Sequence, residues 1–195
     1  MRLLRSRSTH RWGAIFELHK GEDYTWRAQK VDNAYADPMM KLVVHPATDG
    51  TMEALEALEG EAGELMDGAC TDVKAGETIT PGETCYNLVF DAAAAETTFV
   101  VRPTDDGQEP HEAFFAFFAE HVPTEFENDM HYLQDAAGED VEPLVEEGGG
   151  GHDGHDHGRA LLGQRGRLGR RRRARGPQPL GAAPTNTTPL LSPST

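Results

Sequence analysis

Apolar and polar positions alternate through most of this chain, with one clear interruption. Trp12-Gly-Ala-Ile-Phe-Glu-Leu-His alternates loosely, Lys20-Gly-Glu-Asp reads as a turn, and Tyr24-Thr-Trp-Arg-Ala-Gln-Lys-Val alternates again. Two β-type runs across a glycine turn predict a hairpin. Asp37-Pro38 marks another turn, and Met40-Lys-Leu-Val-Val-His45 is a third strand that Pro46 should close. Short strands are also expected at Gly76-Glu-Thr-Ile-Thr, Cys85-Tyr-Asn-Leu-Val-Phe and Thr97-Thr-Phe-Val-Val-Arg. Tyr132-Leu-Gln and Val141-Glu-Pro-Leu-Val, on either side of Asp135-Ala-Ala-Gly-Glu-Asp, read as a terminal hairpin.

The interruption runs from Thr51 to Met66. Leu55, Leu58, Ala62 and Leu65 recur at spacings of three and four, which predicts an amphipathic helix over 51–66. Asp49 or Thr51 can cap its start, and Gly68 lies just past its end. Glu53, Glu56, Glu59, Glu61 and Glu64 read as its solvated face. Gly60 and Gly63 weaken it by about 1 kcal/mol each, so it needs a sheet to lie on.

Phe114, Phe115, Phe117 and Phe118 fit two patterns. On a helix, Phe114, Phe117, Phe118 and His121 would share a face. On a strand, Phe115 and Phe117 would face one way and Phe114 and Phe118 the other. Neighbouring strands and the aromatic content favour a buried central strand, ended by Pro123. About seven or eight short strands with one inserted helix predict a mainly β fold of the β-sandwich kind.

Charge divides the chain further. Of the 18 basic residues, four lie in residues 1–11 and eight in 159–195, which leaves six for residues 12–158 against all 33 acids, a charge near −27. The expected organisation is a basic disordered arm (1–11), an acidic β-rich domain (12–147), a Gly/His/Asp tract (148–158) and a basic tail (159–195). Such a body repels itself at low ionic strength, whereas at molar salt the Debye length is only about 3 Å. An extreme halophile is the simplest source. An acidic nucleic-acid mimic competes with that reading, while a DNA-binding body is excluded for want of a basic face. The tail reads either as a disordered basic segment or as out-of-frame translation of GC-rich DNA.

Cys70 and Cys85, the two cysteines, fit one disulfide or two buried thiols. No apolar run approaches the roughly 20 residues of a membrane span. The N-terminal arginines match the basic end of an export signal without the apolar stretch that should follow.

Six of the nine histidines, His111, His121, His131, His152, His155 and His157, fall between Glu109 and His157. Imidazole with carboxylate suits borderline divalent ions, zinc first, with nickel and copper as competitors. His152, Asp153, His155, Asp156 and His157 supply such donors on a glycine-rich tract. His111 and His121 are too far apart on either a strand or a helix to share an ion. His121 and His131 can fold together across Pro123, with Glu125 or Asp129 completing a site. His19 and His45 read as strand-end residues. There is no HExxH, GxSxG or phosphate loop, so no enzyme is predicted.

The aromatic strand followed by Glu120-His-Val-Pro-Thr-Glu-Phe and a late His-Asp tract resembles small His-rich metal-homeostasis accessory proteins of microbes, over about residues 110–157. The resemblance implies an extracytoplasmic β-domain that collects zinc or a similar ion near a transporter. A non-enzymatic zinc-capture protein is therefore the leading expectation, and a halophilic surface or interaction domain with a solvated His-rich linker is the alternative.

Overall fold

The alternating segments become two mixed β-sheets packed face to face. The computed structural model describes residues 10–104, 107 and 111–148. In chain order these form β1 (Trp12–His19), β2 (Tyr24–Gln29), β3 (Met39–Ala47), α1 (Met52–Asp67), β4 (Thr71–Val73), β5 (Thr78–Ile79), β6 (Cys85–Val89), β7 (Glu96–Val101), β8 (Glu112–Ala119), a 3-10 turn (Pro123–Phe126), β9 (Leu133–Gln134) and β10 (Val145–Glu147). The larger sheet has the order β10-β1-β8-β3-β6-β4, and the smaller β5-β7-β2-β9. All pairs are antiparallel except β4 with β6 and β5 with β7.

The aromatic run is a strand, β8, and its side chains divide between two cores. Phe115 and Phe117 point into the space between the sheets, with Trp12, Phe16, Trp26, Phe99 and Leu133. Phe118 and Ala116 point the other way, where α1 covers Ile15, Val43 and Cys85 with Leu55, Ala62 and Met66. A strand buried on both faces has no polar side to show, which is why its sequence lacks alternation.

Three expected details differ. β1 and β2 do not pair as a hairpin: β1 lies between β10 and β8, and β2 lies in the other sheet between β7 and β9. Both strands must bury large aromatics in the same core, Trp12 and Phe16 from one side and Trp26 from the other, and opposing sheets achieve this. Pro46 does not close β3, which continues to Ala47. It pairs with Phe115 of β8 beyond the last β6 pairing at Val43, where a missing backbone N–H is tolerated. The terminal hairpin is reduced to one bridge, Gln134 to Asp140, because β9 joins β2 while β10 crosses to β1.

The helix forms where its periodicity placed it. Thr51 is the N-cap, its hydroxyl accepting the Ala54 N–H at 3.3 Å. At the other end the Lys41 ammonium donates to the Met66 carbonyl at 2.8 Å, a cation where the helix dipole favours one. A disulfide joins Cys70, just past the helix, to Cys85 of β6. Among the described residues no helix is long and apolar enough to cross a membrane.

Two stability changes follow. Phe117 is fully buried, stacked 5.7 Å from Trp26 and edge-on to Phe16 at 4.9 Å. Phe117→Ala should lower unfolding free energy by about 3–5 kcal/mol in urea melts, and a loss under about 1 kcal/mol would contradict the two-faced core. A Cβ added at Gly60 meets nothing within 4 Å. Gly60→Ala should therefore raise stability by up to about 1 kcal/mol through helix propensity alone.

Candidate metal centre

Strand pairing and helix packing bring three ligand-type side chains together at one corner of the larger sheet. Glu147 of β10 stands opposite Gly13 of β1. Alternation along β10 sends Val145 and Glu147 toward the helix, while Glu146 turns to the other face and accepts the Trp12 indole N–H at 3.4 Å. Glu59 comes from α1, four residues after buried Leu55 and three before buried Ala62. It therefore occupies the stripe that faces the sheet. Gly13 leaves room for this approach: a Cβ there would stand 3.1 Å from the Phe118 ring and 3.5 Å from Leu55.

His10 is the third member. The Arg11 N–H donates to the Ala119 carbonyl at 2.9 Å, which carries the edge of β1 one residue further back. His10 and Arg11, within the segment 1–11 whose composition marked it as an arm, are thus part of the described fold. His10 is only 9% exposed, and its ring meets Phe118 edge-on at 4.9 Å. Its Nε2 lies 3.8 Å from Glu147 Oε1.

One ligand atom from each of His10, Glu59 and Glu147 lies within 4.8 Å of the others, the one such group of three among the described residues. They line a cavity of roughly 240 Å³ with Arg11, Trp12, Gly13 and Gly148. Two ligands held about 2.0–2.2 Å from one tetrahedral zinc are about 3.3–3.6 Å apart. The 3.8 Å separation of His10 and Glu147 is thus within a small side-chain rotation of coordination geometry.

The electrostatics agree with that fit. Burial lowers the proton affinity of His10 more than the charge of Glu59 raises it, so the neutral, metal-binding imidazole is favoured. Burial, a hydrogen bond to Glu59 and the charges of Glu59 and Glu56 push Glu147 from an ordinary 4.5 up to about 7. Two carboxylates in contact need a proton or a cation between them.

Of the histidines expected to form a site, His121 and His131 have separate acidic partners. His121 sits between two acids, with Nδ1 3.0 Å from Glu125 and Nε2 3.1 Å from Asp37. His131 pairs with Glu127 at 2.8 Å. Burial opposes its protonation most strongly, but the hydrogen bond to Glu127 and the charges of Glu127, Glu142 and Asp140 together outweigh burial and raise its proton affinity. Asp129 is taken up by Gln29, whose amide donates to it at 2.6 Å. His19 approaches Glu112 at 3.6 Å and His45 approaches Glu61 at 3.3 Å. His152, Asp153, His155, Asp156 and His157 lie outside the described residues. A larger hollow, roughly 630 Å³, is lined by Gln29, Asp129 and Met130 among others. Gln29 Oε1 already accepts the N–H groups of Asn128, Asp129 and Met130 there, so this buried amide is committed to holding its loop.

The centre itself escaped the sequence reading. His10 lay among arginines, and Glu59 was one of five helix glutamates. The available signal was positional: Glu59 falls on the Leu55–Ala62–Met66 stripe, whereas Glu53, Glu56, Glu61 and Glu64 are exposed.

A raised carboxylate has a definite sign in the pH dependence of stability. Between pH 4.5 and about 7 the folded state binds more protons than the unfolded state, so this contribution is full at low pH and is lost as pH rises through about 7. In chelator-treated protein, Glu147→Gln should gain stability over wild type between about pH 5 and pH 8. Parallel melting profiles for the two proteins would show that Glu147 carries no such strain.

No protein-family model, curated protein or solved structure matches the chain.

Proposed function

We propose that this protein is a non-enzymatic divalent-metal-binding protein, zinc being the preferred ion, anchored at His10, Glu59 and Glu147. The observation that carries the reading is the meeting of a buried imidazole and two carboxylates within 4.8 Å, Glu147 being the one whose proton affinity is raised. A dication relieves the repulsion that otherwise requires a shared proton. Cavity size supports an ion over an organic substrate, since the roughly 240 Å³ space is below the about 300–1,000 Å³ of small-molecule pockets. With three protein donors the ion keeps an exchangeable position, which suits capture and release.

We further propose a role as a collector for a metal transporter, which an exchangeable position suits. The Cys70–Cys85 disulfide supports an oxidising, extracytoplasmic location, where such bonds persist.

Purified protein titrated with zinc in molar salt should bind at least one equivalent, and Glu59→Gln should weaken that binding by about tenfold or more. Affinity should fall as pH drops from about 7.5 to 5.5, because protons compete for the imidazole and for the raised carboxylate. No zinc uptake by the wild-type chain would end the metal reading, and uptake indifferent to Glu59→Gln would remove it from this centre. A response flat across that pH range would mean that carboxylates of ordinary acidity, not His10 and Glu147, hold the ion.

A further inference from the structure

The three candidate ligands are not held with equal strength. His10 extends β1, which pairs with β8 along its whole length, and its ring is buried against Phe118. Glu59 belongs to α1, whose Leu55, Ala62 and Met66 are buried against the larger sheet. Glu147 belongs to β10, a strand of three residues, none of them fully buried. β10 is the outermost strand of its sheet and has β1 as its one neighbour there. Leu144, immediately before it, is 49% exposed.

A short set of contacts keeps β10 in place. The Leu144 N–H donates to the Ile15 carbonyl at 2.8 Å, Val145 packs on the helix side, and Glu146 accepts the Trp12 indole N–H at 3.4 Å. Gly148 then lies so close to Arg11 that a Cβ would overlap the Arg11 carbonyl oxygen. Like charge on Glu59 and Glu56 opposes the docking of Glu147. An edge strand with so few buried contacts opens at a lower free energy than the strands inside the sheet.

Resting on the reading of His10, Glu59 and Glu147 as ligands, we propose that β10 is the gate of the metal centre. Undocking of β10 from β1 carries Glu147 away from His10 and Glu59, and the ion enters and leaves in that open state. The ion in turn holds β10 shut, because it joins the last strand to the helix and to the start of the first strand. Linkage makes these two effects one. The closed ligand set fixes affinity, and the docking of β10 fixes how fast the ion exchanges. A change that weakens docking without touching a ligand therefore raises entry and release by the same factor and leaves affinity where it was.

The test uses the full chain in molar salt at one pH, with zinc as the probe and hydrogen exchange read at single amides by NMR. Leu144 reports on β10 through its bond to Ile15, Arg11 reports on the N-terminal end through its bond to Ala119, and β8 reports on the whole fold. Without zinc, Leu144 should exchange at least about tenfold faster than the amides of β8. Zinc at about 100 times its Kd should slow Leu144 by more than about tenfold, with a ceiling of about 100-fold. Val145→Ala removes apolar contact beside the helix and changes no ligand or charge. In stopped-flow mixing it should raise zinc association and dissociation together, each about fivefold, with Kd near wild type.

Zinc bound with exchange at Leu144 unchanged would overturn the gate and leave the three-ligand centre standing. So would Leu144 exchanging no faster than β8 before zinc is added, because β10 would then have no opening of its own. Slowing confined to Arg11 would overturn it in favour of release at the N-terminal end. Faster dissociation alone in Val145→Ala, with Kd weakened to match, would show damage to the closed site in place of gating. Absence of zinc binding, or binding insensitive to Glu59→Gln, would remove the centre on which the inference rests.

Discussion

The fold depends on burying β8 on both faces. Phe115 and Phe117 require an opposing sheet, and Phe118 requires a helix. Neither demand can be met by the strand's own sheet, so β2, β7 and β9 must come over one side and α1 over the other. Trp26 stacks on Phe117 from the smaller sheet, and Leu55 lies beside Gly13 on the helix side. That second contact sets how closely α1 approaches β1. The position of Glu59, and hence the chemistry at the corner, follows from the same packing that satisfies Phe118.

Strand identity was legible because burial leaves a record in residue type. β6, β7 and β8 read correctly as strands, and the helix read correctly from its spacing. Partner choice was less legible. A glycine turn between β1 and β2 looks the same in sequence whether the strands pair or cross between sheets. The decision rests on where Trp12 and Trp26 find a common core, which is a non-local fact. Pro46 failed as a strand stop for a related reason: its missing N–H matters only where a second strand would have used it.

The site was legible only in its chemistry. A search for dense histidine leads to residues 109–157, yet His121 and His131 of that region are held by Asp37, Glu125 and Glu127. In a body with so many acids, most histidines meet a carboxylate, and composition cannot separate an ion pair from a ligand set. Separation needs a third donor converging on the same point. The topology provides it by placing the first strand, the helix and the last strand at one corner, although His10 and Glu147 are at opposite ends of the described chain.

That convergence differs from an acidic surface adapted to salt. Surface acids that serve solvation spread apart and face water, as the exposed Glu53 and Glu64 do on α1. Glu59 and Glu147 do the reverse: they share a hydrogen bond beside a buried imidazole, with further like charge from Glu56. Salt screens exposed charges over a few ångströms but screens a partly buried contact much less. A pair so placed gains little from dissolved salt and remains a cost to the fold until a cation or a proton sits between its members. Gly13 and Gly148 both fit this corner tightly: a Cβ at Gly148 would overlap the Arg11 carbonyl, and one at Gly13 would press on the Phe118 ring. Hydrophobic packing alone would avoid such a contact, and on the metal reading proposed above a bound ion would supply the missing attraction.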